Sequence, residues 1–134
     1  MSVWRIMDAN LNRVREGLRV CEDIVRFTKN DVHLTAKLKS LRHELNKTIR
    51  PNILPAKKLI SSRESGRDVG KRSFVSNGKG IGYLDLLTSN FKRAEEGLRV
   101  LEECSKVAAP KAFSYFQNLR FKVYELEKEV AQEF

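Results

Sequence analysis

The stretch NLNRVREGLRVCED, beginning at Asn10, recurs as NFKRAEEGLRVLEE beginning at Asn90. Asn, Arg, Glu, Gly, Leu, Arg and Val keep the same offsets in both copies, so the chain contains an internal duplication. Within each copy the apolar positions recur at spacings of three and four, the pattern of an amphipathic helix. A weaker echo, LKSLRHEL at Leu38 to Leu45 and FQNLRFKV at Phe116 to Val123, extends the duplication to a second helix in each half. The fold therefore has to place two like helical hairpins in one core.

The helices can be drawn from the periodicity. The first runs from about Trp4 to Thr28, with Leu11, Val14, Leu18, Cys21 and Val25 on one stripe. Asn30 or Asp31 caps a second, in which Leu34, Leu38, Leu41, Leu45 and Thr48 or Ile49 continue the stripe until Arg50-Pro51 stops it. A third runs from about Tyr83 to Val107, and Pro110 suits the first position of a fourth. That helix carries Phe113, Phe116, Leu119 or Arg120, Val123, Leu126 and Val130 on one side. Two striped hairpins cannot bury their faces alone, so they stack. The expected fold is all-α: a four-helix arrangement with pseudo-twofold symmetry in one helical domain, residues 1–134. Its parts are a first hairpin at 1–50, a basic glycine-containing loop at 51–82 and a second hairpin at 83–134. A short helix is expected after Pro55. The twenty residues from Arg63 to Gly82 hold five glycines and no period, and loops of that length in compact domains tend to be functional or disordered.

Composition narrows the partners. The 134 residues carry a net charge of +9, and +6 of it falls between Arg50 and Gly82, where eight basic residues meet two acids. Such a field favours anions: phosphorylated metabolites, nucleic acid or acidic membranes. Nucleic-acid binding usually adds stacking aromatics, and this basic segment has only Phe74. No apolar run approaches the roughly 20 residues that span a bilayer, and the start lacks the layout of a signal peptide. The expected location is the cytoplasm, with Cys21 and Cys104 as free thiols in helical patterns.

The duplicated motif holds more polar chemistry than a core needs. At about 100° per residue, Asn10, Arg13 and Gly17 fall on one side of the helix, with Glu16 further round. A mid-helix glycine costs roughly 1 kcal/mol relative to Ala, so something must approach Gly17 and Gly97 closely. One reading is a helix contact at the glycines, with Arg13 and Glu16 as a surface pair. The other is a pocket floor at Gly17 and Gly97, flanked by Asn10 and Asn90 as hydrogen-bond readers and Arg13 and Arg93 as phosphate clamps. Arg19, Arg99, Glu22 and Glu102 read as a solvated, ion-paired face. In the loop, GRDVGKRS lacks Walker spacing, because only three residues separate its glycines and Arg follows Lys71. Asp68 is equally a turn residue and a candidate Mg²⁺ ligand.

RIMDANLNRVREGLRVCEDIVRF, LKSLRHEL, SRESGRDVG, NFKRAEEGLRVLEE and YELEK, in that order, closely resemble the small hydroxymethylpyrimidine phosphate kinase family of bacterial thiamine biosynthesis. That family occurs alone or fused ahead of thiamine phosphate synthase. The resemblance spans Arg5 to Lys128, departs from the family pattern at Glu64 and Arg67, and implies a magnesium-dependent ATP reaction. The γ-phosphoryl group passes to 4-amino-5-hydroxymethyl-2-methylpyrimidine phosphate, giving the diphosphate. It implies Arg13, Arg93 and Arg63 on phosphate oxygens and Asn10 or Asn90 on the aminopyrimidine or a phosphate. Glu16 or Glu96 would orient an arginine or hold Mg²⁺ through water, with Asp68 as the metal ligand. A homodimer completing the pocket and docking onto thiamine phosphate synthase are further expectations.

Overall fold

The computed structural model describes residues 2–70 and 80–134. The element order is α1 (Ser2–Ile24), α2 (Val32–Asn46), α3 (Ala56–Ser61), α4 (Tyr83–Ala108) and α5 (Phe113–Ala131), with no strand among the described residues. The fold is all-α, as the periodicity requires. A wider turn at Val25–Lys29 extends α1 to the end expected from sequence. Asn30 then reverses the chain at φ 52°, and the Asp31 carboxylate caps α2 by accepting the Leu34 amide. The short helix after Pro55 is α3, and Pro110 opens a 3-10 turn leading into α5. The expectations for 71–79 lie outside the described residues.

The predicted stripes form one core. Leu11, Val14, Leu18, Cys21, Leu34, Leu38, Leu41, Leu45, Phe116, Leu119, Val123, Leu126 and Val130 are all buried. The second helix ends at Asn46, four residues short of Arg50. There the Thr48 hydroxyl donates to Leu45 O at 2.7 Å and its amide closes a tighter turn on the same carbonyl. Burial also raises the Cys21 thiol to about 12, with the Glu127 and Glu95 charges adding to it, so Cys21 behaves as a small apolar core residue.

The most extensive contact joins α1 to α4. It is reciprocal. A Cβ at Gly17 would lie 2.7 Å from Asn90 O, and one at Gly97 would lie 2.7 Å from Val14 Cγ2 and 3.3 Å from Asn10 O. Low numbers on one helix meet high numbers on the other, so the two run antiparallel. Asn10 and Asn90 each donate their side-chain amide to the carbonyl four residues back, Ile6 O at 2.9 Å and Leu86 O at 2.8 Å. The glycines are therefore where the backbones touch. The space over each is filled by the facing helix, so a pocket floor at Gly17 and Gly97 gives way to the helix-contact reading.

A second repeated device ties each hairpin together. Glu22 and Glu102, read from sequence as solvated, are instead 2% and 1% exposed. Glu22 takes a forked pair from Arg42 at 2.8 and 3.3 Å, and Glu102 takes the equivalent fork from Arg120. The echo between α2 and α5 carries these two arginines to matching places. Arg19 and Arg99 do face solvent, pairing with Asp23 and Glu103.

The halves also differ in a buried charge on α4. Glu95 occupies the place that Arg15 holds in the first half. Its Oε1 accepts from Lys92 at 3.1 Å, while its buried Oε2 has no partner. Burial raises its carboxyl to about 7, the neighbouring Glu127 carboxyl adds to this and Lys92 opposes it.

Two predictions follow from the packing. Gly17→Ala gains about 1 kcal/mol of helix propensity but pushes a methyl into a backbone carbonyl that moves only with α4, a type of overpacking that costs about 1–3 kcal/mol. Thermal unfolding should show Gly17→Ala less stable than the parent and Gly97→Ala affected less, since its nearest obstacle is a side chain. Equal melting of parent and Gly17→Ala would contradict the crossing. For Glu95, the folded state holds a proton between the ordinary 4.5 and about 7 that the unfolded chain releases. Its contribution is thus present at low pH and lost as pH rises through about 7. Glu95→Gln should flatten the pH dependence of Tm across that window and melt higher than the parent above it.

Candidate functional site

With Asn10, Gly17, Leu18 and Glu22 assigned to the crossing, core and strut, and Arg19 and Arg99 paired along their own helices, the remaining repeated charges are exposed: Arg13, Glu16, Arg93 and Glu96. They lie on the side of α1 and α4 that neither α2 nor α5 covers. Arg93 Nη2 reaches across the crossing to Glu16 Oε2 at 3.5 Å. Both partners are largely exposed, and such pairs are worth little, so an incoming anion can displace this one. Glu16 stands one turn from Arg13, so Arg13 and Arg93 border the same exposed face at neighbouring points.

The symmetry-related pair of Arg13 with Glu96 is not formed among the described residues. Arg13 Nη1 instead donates to Asn10 Oδ1 at 3.3 Å. Asn10 is buried, its amide nitrogen held by Ile6 O, so its oxygen is a fixed prop for the Arg13 guanidinium.

The segment after α3 explains why the first half differs. Arg63 forks onto the buried Asp8 carboxylate at 2.7 and 3.0 Å. That hydrogen bonding raises the Arg63 guanidinium above its ordinary value, so Arg63 stays charged. Arg5 Nη2 donates to Glu64 O at 3.0 Å, and the Arg67 amide closes a tight turn on the same carbonyl at 2.9 Å. These contacts lay residues 63–68 along α1. Asp68 Oδ1 then accepts the Gly70 amide at 2.9 Å, which is a turn role.

The result is an open cavity of about 310 Å³ beside the N-terminal half of α1, where Arg5, Asn10, Arg13, Arg67 and Asp68 meet. Three guanidiniums face one carboxylate there, an arrangement suited to a phosphate oxygen cluster. Of the residues expected at the site, the structure brings Asn10, Arg13 and Asp68 together. Arg93 and Glu16 border the same face without lining the cavity, Asn90 repeats the Asn10 back-bond, and Glu96 is exposed. Arg63 holds the loop through Asp8 and does not line the cavity. Sequence reasoning missed Arg5 and Asp8 and left Arg67 without a role. The signal was charge complementarity, since Arg5 and Asp8, one turn apart on α1, face Glu64 and Arg63 in the loop.

No group of three or more His, Cys, Asp or Glu among the described residues could hold a metal by itself. A magnesium ion arriving with a nucleotide needs only one or two protein carboxylates, because phosphates and water complete its shell. Asp68 fits that smaller demand.

The fold and the site define an all-α bundle with an open, arginine-lined cavity beside α1. Residues 5–129 match the ThiD2 family, and the chain belongs to that family. It is 39% identical over 93% of its length to a thiamine-phosphate synthase of Nostoc punctiforme. It is 37% identical over 92% to that of Thermosynechococcus vestitus, and 34% identical over 96% to that of Rhodopirellula baltica. The chain spans about a third of the length of these relatives, 34% in each case. No solved structure matches it. None of its helices among the described residues is long and apolar enough to cross a membrane.

Proposed function

We propose that the chain is a kinase of thiamine biosynthesis that transfers the γ-phosphoryl group of ATP to 4-amino-5-hydroxymethyl-2-methylpyrimidine phosphate, giving the diphosphate. The observation that carries this reading is the meeting of Arg5, Arg13 and Arg67 with Asp68 in one cavity. The acceptor is a phosphate monoester whose oxygen is already anionic near neutral pH, so no general base has to make a nucleophile. What remains is holding two anions in line and neutralising charge on the transferred group, which takes arginines and a metal.

In this scheme Arg13, propped by Asn10, binds phosphate oxygens with Arg5 and Arg67. Asp68 would be the residue to hold the magnesium of Mg-ATP, which would neutralise charge on the transferred phosphoryl group. Arg93 leaves its weak pair with Glu16 to act as a second clamp on the same face, and Glu96 orients Arg93 from one turn away. Arg63 acts through Asp8 as a positioning residue for the loop.

A second reading draws on the fraction of the relatives that this chain covers: a non-catalytic module that docks onto thiamine phosphate synthase, in cytoplasm or within a fused chain. Incubating the pure protein with Mg-ATP and the pyrimidine phosphate separates the two. Diphosphate should accumulate, the unphosphorylated alcohol should not react, and Arg13→Ala should cut turnover roughly 10²–10³-fold, by analogy with lost oxyanion donors. No diphosphate from a folded protein, or near-parental turnover in Arg13→Ala, would overturn the kinase reading.

A further inference from the structure

A second cavity, of about 280 Å³, lies between the end of α2 and the first turns of α5. It is more enclosed than the α1 cavity and shares no residue with it. One wall is a rigid corner. The amides of Thr48, Ile49 and Ile53 donate to Leu45 O, Asn46 O and Arg50 O in successive tight turns, and the Thr48 hydroxyl is buried on Leu45 O. This corner presents Lys47 and Arg50. The other wall is α5, where Tyr115 and Asn118 stand one turn apart with the Tyr115 ring half exposed.

Further along the α2–α5 seam Lys37 pairs with Glu129 at 2.7 Å, and in the cavity wall itself Lys122 donates to both oxygens of Glu44 at 3.2 and 3.0 Å, which cancels that pair of charges. Lys47 and Arg50 line the cavity without a carboxylate partner among the described residues. Two uncompensated cations, an accessible aromatic face and a side-chain amide thus share one concave surface, with Ile53 and Leu119 as its apolar lining. Convergent polar groups on an apolar floor are the usual make-up of a small-molecule site.

We propose that this cavity is a second ligand site, for a planar heteroaromatic ring carrying one phosphate monoester, the mononucleotide class. The phosphate sits between Lys47 and Arg50, the ring lies on Tyr115, and Asn118 hydrogen-bonds the ring edge, since an amide both donates and accepts. The site is independent of the kinase reading, because none of its residues belongs to the Arg13 cavity.

Isothermal titration of the whole chain with AMP, adenosine and inorganic phosphate tests this. AMP should bind more tightly than either fragment. Its affinity should fall about ten-fold or more in Arg50→Ala and in Lys47→Ala, and roughly five-fold or more in Tyr115→Ala, with no change in Arg13→Ala. All four side chains are exposed, and circular dichroism checks that each variant is folded. Asn118→Asp adds a negative charge to the wall and should also weaken AMP. The proposal is overturned if AMP fails to bind, if inorganic phosphate binds as tightly as AMP, or if binding persists in Arg50→Ala and is lost in Arg13→Ala.

Discussion

The contact of α1 with α4 at Gly17 and Gly97 is the constraint from which the rest of the structure is set. The Asn90 carbonyl at Gly17 and the Val14 side chain at Gly97 each lie 2.7 Å from where a Cβ would stand. That approach fixes both the register and the antiparallel sense of the two long helices. Once they are fixed, the struts from Glu22 to Arg42 and from Glu102 to Arg120 place α2 and α5 on the same side. The opposite side of α1 and α4 is left open, and it is there that Arg13 and Arg93 appear. Breaking a buried pair such as these struts by removing one partner typically costs about 3–5 kcal/mol, so the hairpins have little freedom to rearrange the open face.

Symmetry in the core is combined with asymmetry at the surface. Only α1 carries the Arg5 and Asp8 pair that receives Glu64 and Arg63, and so only α1 is lined by the segment after α3. In α4 the matching positions are Asp85 and Thr88, and one to two turns further on Lys92 bridges the buried Glu95 to Glu127 on α5. A duplicated pair of helices thus yields one built cavity. The charges that define it come from the repeat in Arg13, from the unrepeated Arg5 of α1, and from the loop in Arg67 and Asp68.

The helices and the core were legible because burial of a helix face imposes a period that a single sequence displays. Leu34, Leu38, Leu41 and Leu45 could be placed without coordinates. Glu22 and Glu102 could not be placed by the same means, since a helical wheel puts them off the apolar stripe and their partners lie on other helices. Matching the repeated glutamates to Arg42 and Arg120 in the second echo would have found them. The glycines were ambiguous for a related reason: periodicity says that something comes close at Gly17, but not whether it is a ligand or a helix. For the site, Asn10, Arg13 and Asp68 were legible as chemistry, whereas Arg5 and the Asp8–Arg63 fork depend on how a loop lies on a helix.

The account places phosphate recognition on the exposed side of α1 beneath the segment that Asp8 and Arg63 hold down. Mapping amide shifts by nuclear magnetic resonance, on isotope-labelled protein titrated with the pyrimidine phosphate, reads that location directly. Shifts growing with ligand at residues 5–13 and 66–70 are the result it requires. Saturable binding that leaves those amides silent would contradict it.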